Sequence, residues 1–220
     1  MFSDKNNNQS VRPEFLGLEV MHDSFLKTCK LTFRQPDGTE HPYLAISRKS
    51  ASAYEQALRE RSSSSAASDA VAVVGLTKEG NILLTREFRY PINDYCIQFP
   101  AGLREAGETP IEAGSRELLE ETGYDYIRTP EGKPLQAWCF PQPGFSSLGM
   151  TNENIDMVFA LVEKVAQPQP EAIEHIESFE VPAHKAGEFL LANTEAISIR
   201  AQLVLGMHAF GFAGPNGLDK

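Results

Sequence analysis

The chain has 220 residues, with 20 Lys and Arg against 30 Asp and Glu and a formal charge of −10, which excludes a general cationic binder of nucleic acid. Hydrophobic residues make up 41% and charged ones 23%, the composition of a folding globular chain rather than a disordered one. The longest apolar run, Ala70 to Leu76, falls far short of the roughly 18 residues that cross a bilayer, and no export signal opens the sequence, so the expectation is a cytoplasmic protein with no membrane and no nucleic-acid partner.

In chain order, residues 1–20 read as a polar, disordered tail. A small N-terminal strand domain follows over 21–48: Phe25 to Phe33 alternates as a strand, Pro36-Asp37-Gly38 turns, and His41 to Ser47 returns. Residues 49–68 read as an insert, a short helical piece followed by the serine-rich linker Arg61 to Ser68. A single catalytic domain is expected over 69–214. Its strands are Ala70–Leu76, Ile82–Phe88, Tyr95–Phe99, Leu135–Phe140, Ile155–Val162 and Ser178–Val181.

Thr109 to Thr122 is the strongest helix, with Thr109 as N-cap, Pro110 at the first position, Glu112 completing a capping box and Gly123 as the stop. Two more helices are predicted at Lys185–Ala192 and Glu195–Phe210, the latter with an apolar stripe of Ile197, Leu203, Val204 and Met207. Cys29, Cys96 and Cys139 are too widely spaced for a zinc or redox motif and read as buried free thiols. Trp138, the one tryptophan, reads as core. Many strands with interspersed helices indicate an α+β protein with a mixed sheet.

The chemistry is concentrated in the central helix. At 100° per residue Glu117, Glu120 and Glu121 share one face. Like charges so placed repel, and oxygen-only donors suit a hard cation. A cluster of three glutamates alone is usually solvated surface, but its setting is more specific. From Gly102 to Tyr124 the chain matches G-x5-E-x7-R-E-U-x-E-E-x-G-U, with U a bulky apolar or aromatic residue, at every specified position. Seven fixed residues make a chance match on the order of one in a hundred thousand for a chain of this length.

That segment is the Nudix box, and the sequence resembles the Nudix hydrolases. The flanking Arg86-Glu-Phe-Arg-Tyr-Pro91, Tyr95-Cys-Ile-Gln-Phe-Pro-Ala-Gly-Leu103 and Pro141-Gln-Pro-Gly144 resemble the ADP-ribose and ADP-sugar pyrophosphatase branch. The resemblance implies a Nudix α/β/α sandwich with a mixed sheet and a small N-terminal antiparallel strand domain. It implies a homodimer that cleaves ADP-ribose, or another nucleoside diphosphate derivative such as NADH or a dinucleoside polyphosphate, with Mg2+ or Mn2+. A nucleotide-sensing regulator without turnover is the alternative from another class.

Residue by residue, the resemblance assigns metal binding to Glu117, Glu120, Glu121 and the Ala101 carbonyl, and orientation of the carboxylates to Arg116. It assigns substrate contacts to Tyr43, Arg48, Arg89 and Leu103, with Tyr43 stacking on adenine and Arg89 on a phosphate. Relatives usually carry glutamine at Glu87. The general base is assigned first to Glu153, with Glu174 and Glu177 as alternatives, since Phe145 to Met150 resembles an insertion that shifts the register.

Overall fold

The computed structural model describes residues 12–62 and 67–211, in two compact units: residues up to Asp69 together with Gly144–Asn154, and Ala70–Pro143 with Ile155 onward. The first unit is a three-stranded antiparallel sheet, β1 (Glu14–His22), β2 (Lys27–Arg34) and β3 (Glu40–Ser47), in that spatial order. Helix α1 (Ala51–Glu60) lies against it, capped by the Ser50 hydroxyl, which accepts from the Ala53 amide. Tyr54, 4% exposed, joins Cys29, Leu31 and Ala45 in a core of their own.

Two expectations change here. Residues 14–20, read as tail, are strand: Phe15, Leu18 and Val20 pack on that core, and register shifts between Phe15 and Gly17 and between Val20 and His22 broke the alternation. Residues 51–60 form the short helix expected there, but it is packed on the core through Tyr54 and Leu58 and is not a loose insert; residues 63–66 of the serine-rich linker lie outside the described residues, as does the start of the tail.

The second unit is built on β4 (Ala70–Thr77), β5 (Asn81–Arg89), β6 (Asp94–Gln98) and β7 (Ala101–Leu103). After these come α2 (Pro110–Thr122), β8 (Tyr124–Tyr126) and β9 (Ala137–Cys139). The two-residue β10 (Gly144–Phe145) belongs to the first unit. The chain continues with β11 (Asn154–Lys164), β12 (Ile176–Pro182), α3 (Ala186–Ala192), β13 (Ala196–Ile197) and α4 (Ile199–Ala209). The sheet is mixed: β11 runs parallel to β4, and β13 to β6, while β4, β5, β6 and β12 meet antiparallel.

Pairing of β4 with β5 is confined to Gly75–Leu83 and Leu76–Ile82, after which the strands part, β4 to pair with β7 and β5 with β6. One face of the sheet packs Val71, Val73, Leu83, Val158 and Val162 against Ala113 and Leu118 of α2. The other packs Val74, Ile82, Leu84, Ile97 and Phe99 against Ala186, Ala201 and Leu205 of α3 and α4. Helix α2 has the predicted capping box and ends at Gly123, whose φ of 71° lies in the left-handed region that favours glycine.

Helix α4 starts later than predicted, behind Ser198 as N-cap, because Ile197 pairs with β6. Its buried face is Ala201 and Leu205, and Leu203 and Met207 are exposed. Trp138 is not core: it is 46% exposed and stacks on Phe159 across the β9–β11 pair at 4.6 Å. The three cysteines are free, with Cys29 buried and Cys96 and Cys139 half-buried.

The packing of α1 sets an expected outcome. Tyr54→Ala removes a buried aromatic and is expected to cost about 3–5 kcal/mol, read as a lower urea midpoint for the first unit. A midpoint equal to that of the wild type would mean that α1 adds nothing to the stability of that unit.

Candidate active site

Helix α2 and the β7–α2 loop form a network centred on Arg116. Its Nε and Nη2 donate to the two oxygens of Glu108 at 2.8 and 3.0 Å, and Nη2 also donates to the Leu103 carbonyl at 3.0 Å. Nη1 donates to Glu117 at 2.8 Å and to Glu120 at 3.3 Å. One planar fork therefore ties the loop to two of the helix carboxylates, a task that suits guanidinium geometry. Arg116 thus bonds two of the three helix glutamates, and Leu103 joins the network through its backbone carbonyl.

The glutamates differ in environment. Glu121 is 4% exposed; burial, then the charges of Glu117 and Glu87, push its carboxyl well above the ordinary range. Its hydrogen bond comes from the Ala101 amide at 3.1 Å. Glu117 is also pushed up, chiefly by burial, against the opposing pull of Arg116. Glu120 is exposed and paired with Arg116. Gly102 makes room for Glu117, since a Cβ there would lie 2.1 Å from the glutamate's Cδ.

Burying a carboxylate without a counter-charge is costly. The donors are all oxygen, and ionising the buried Glu121 is costly unless a cation lies beside it, so Glu117 and Glu121 fit a hard divalent cation in chemistry. Among the described residues no three Asp, Glu, His or Cys side chains converge closely enough to hold an ion; Arg116 Nη1, shared by Glu117 and Glu120, satisfies part of their charge instead.

Around these carboxylates the sheet supplies further groups. Thr85, Glu87 and Arg89 alternate onto the same face of β5 as Leu83, the face packed by α2. Arg89 Nη1 donates to Glu87 Oε1 at 2.8 Å, and Gln98 Nε2 donates to Glu87 Oε2. Arg86 points to the opposite face, where it bonds Glu195 at 2.5 Å and lies 3.8 Å over the Tyr95 ring. Glu177, directly across from Arg86, lies on that opposite face too. Glu174 lies in the β11–β12 loop, and its charge acts on both Glu117 and Glu121.

The remaining predicted residues belong to the first unit. Tyr43 lines a cavity of about 330 Å³ with Leu31, Phe33, Ala45, Tyr54 and Met150, and its hydroxyl donates to the Gly149 carbonyl at 2.7 Å. Arg48 Nε donates to Glu153 Oε1 at 2.9 Å and lies 5.1 Å over Phe25. Glu153 also accepts from the Ser146 hydroxyl at 2.8 Å. The structure thus brings Tyr43, Arg48 and Glu153 into one unit and places Glu117, Glu120, Glu121, Arg116 and Arg89 in the other.

Sequence reasoning passed over Arg104 and Asp156. They form an ion pair at 3.7 Å with both side chains nearly buried, and Arg104 Nη2 donates to the Glu108 carbonyl, fastening the loop to β11. A lone arginine at an unspecified position of the box carries no signal until the strand opposite it is known.

The comparisons agree with this geometry. Residues 67–202 match the NUDIX domain. The chain is 32% identical over 164 residues to the ADP-ribose pyrophosphatase of Saccharomyces cerevisiae, covering 71% of this chain and 63% of the yeast protein. It is 33% identical over 109 residues to the ADP-sugar pyrophosphatase of Mus musculus, covering 48% of this chain and 44% of the mouse protein. The crystal structure of an ADP compounds hydrolase superposes with a TM-score of 0.66 over 92% of this chain and 96% of that one, at 18% identity, a likeness of fold. An α+β architecture with a mixed sheet, a three-stranded antiparallel sheet and a glutamate-bearing box defines the class, and the chain belongs to the Nudix family.

The Arg116 network has a pH signature. Arg116, with help from the Glu105 amide, holds the Glu108 carboxyl down to about 2 from 4.5. A carboxyl whose value is depressed in the fold adds stability above its unfolded value and loses it as pH falls through the folded one. Glu108→Gln is expected to lower the melting temperature at pH 7, and the difference from wild type should close as pH falls from about 5 toward 2. A difference unchanged at the acid end would contradict the assignment.

Proposed function

We propose that the chain hydrolyses the diphosphate bond of ADP-ribose or a related ADP-sugar, releasing AMP and a sugar phosphate, with Mg2+ as the working cation and Mn2+ able to replace it. The observation that carries this reading is the pair of shielded carboxylates, half-buried Glu117 and buried Glu121, in the C-terminal half of α2 in a Nudix chain. The yeast and mouse relatives, pyrophosphatases for ADP-ribose and ADP-sugar, favour the adenine diphosphate class within the family.

Glu117 and Glu121, with the exposed Glu120 and the Ala101 carbonyl, would hold the cation. A divalent ion there neutralises charge on the diphosphate oxygens and acidifies the attacking water. Arg89 takes a phosphate oxygen with the part of its fork not engaged by Glu87. Tyr43 offers its ring to the adenine, and Arg48 fixes the position of Glu153. Arg116 and the Arg104–Asp156 pair keep the loop and helix in register, so the charge at the reacting centre meets fixed dipoles.

For the proton, Glu174 is the favoured acceptor, since its loop belongs to the same unit as Glu117 and Glu121, on both of which its charge acts. Glu153 is the second reading; it is held by Arg48 and Ser146. The family resemblance supports a homodimer in which the N-terminal strands of one copy close the pocket of the other.

A panel of ADP-ribose, ADP-glucose, NADH and diadenosine polyphosphates with Mg2+, with products identified by mass, tests the substrate class. Losing a general base lowers the rate typically about 10²- to 10⁴-fold, and that loss is expected for Glu174→Gln in kcat with Mg2+ binding retained. If Glu153→Gln carries the large loss and Glu174→Gln is nearly silent, the base lies in the first unit.

A further inference from the structure

Glu87 is a charged residue in a place where a charge is expensive. Its side chain is 12% exposed, on the face of β5 that packs toward α2. Each of its oxygens has a separate partner: Oε1 accepts from Arg89 at 2.8 Å, and Oε2 accepts from Gln98, itself buried on β6. Gln98 therefore fixes the carboxylate, and the carboxylate fixes Arg89. Arg89 is two residues further along the same strand and 48% exposed, so a fixed acidic anchor holds one nitrogen of a fork whose remainder reaches toward solvent.

An arginine held in this way is aimed and partly neutralised at once. Its plane is set before an anion arrives, which lowers the ordering cost of binding. The adjacent carboxylate also competes with that anion for the same positive charge.

We propose that Glu87 is a positioning residue that aims Arg89 at a substrate phosphate and holds down the affinity of that contact. This rests on the reading of Arg89 as a phosphate ligand. Because the competition is felt by substrate and transition state alike, it acts as uniform weakening of binding: removing the charge lowers KM with little change in kcat. Glutamine is nearly isosteric and preserves the local structure. Its amide oxygen accepts from Arg89, and a flip of the Gln98 amide, which now donates to Glu87, turns the Gln98 oxygen toward the new NH2 group, so the charge is the main loss.

The test uses the full chain and an α,β-methylene analogue of ADP-ribose, with binding followed by calorimetry in Mg2+ and in EDTA. Glu87→Gln is expected to tighten binding about threefold, the scale of a half-exposed ion pair, in both conditions. Arg89→Ala is expected to weaken it, and in the Arg89→Ala background Glu87→Gln should have no further effect. Unchanged or weaker binding in Glu87→Gln overturns the proposal, as does equal tightening with and without Arg89, which would mean a diffuse charge effect. If Arg89→Ala alone is silent, the phosphate role of Arg89 fails first, a result distinct from silence of Glu87→Gln alone.

Discussion

Two carboxylates shielded from water, Glu121 buried and Glu117 half-buried, set the terms for this protein. Charge in that setting is unfavourable, and the neighbouring residues are arranged around it. Arg116 bonds Glu117, the Ala101 amide bonds Glu121, and Gly102 leaves the space in which the Glu117 carboxylate lies. These contacts compensate the charge only in part, since both carboxyls are still pushed upward by burial. The uncompensated part is what a divalent cation would take up.

The fold serves this arrangement by divergence. Strands β4 and β5 pair briefly and separate, so that β7 carries Ala101 and Gly102 along one arm while Glu87 and Arg89 stand on the other. Helix α2 seats Ala113 and Leu118 in the core, which leaves the acidic edge with Glu117 and Glu120 facing the loop. The loop is secured twice, by Arg116 through Glu108 and Leu103 and by Arg104 through Asp156 and the Glu108 carbonyl. An interior site gains precision when the groups that touch the ligand are themselves fixed by others.

Much of this was legible in the sequence, because local rules govern the central segment. The N-cap, capping box and glycine stop of α2 are short-range signals, and the spacing of the three glutamates follows from the helical period. What was not legible depends on partners distant in the chain. The strand from Glu14 to His22 was hidden by its irregular register against β2; α1 was legible as a short helical piece, but not that Tyr54 anchors it in the core of the first unit. Asp156 looks like one polar residue in an apolar strand until Arg104 is placed beside it, and Trp138 looks like core until β9 is seen with its ring exposed over Phe159. The assignment of Gly144–Asn154 to the N-terminal unit, which groups Glu153 with Arg48, also came from tertiary pairing alone.

The central claim, that Glu117 and Glu121 form a cation site, is tested most directly by thermal denaturation with and without Mg2+ in the wild type and in Glu121→Gln. Ligand binding to the folded state alone stabilises by about 2.7 kcal/mol at a hundredfold excess over Kd, so Mg2+ should raise the wild-type melting temperature clearly. Glu121→Gln removes a buried charge; without metal it should melt at or above the wild-type temperature, and Mg2+ should leave it unmoved. A Glu121→Gln protein that gains as much from Mg2+ as the wild type would contradict the account.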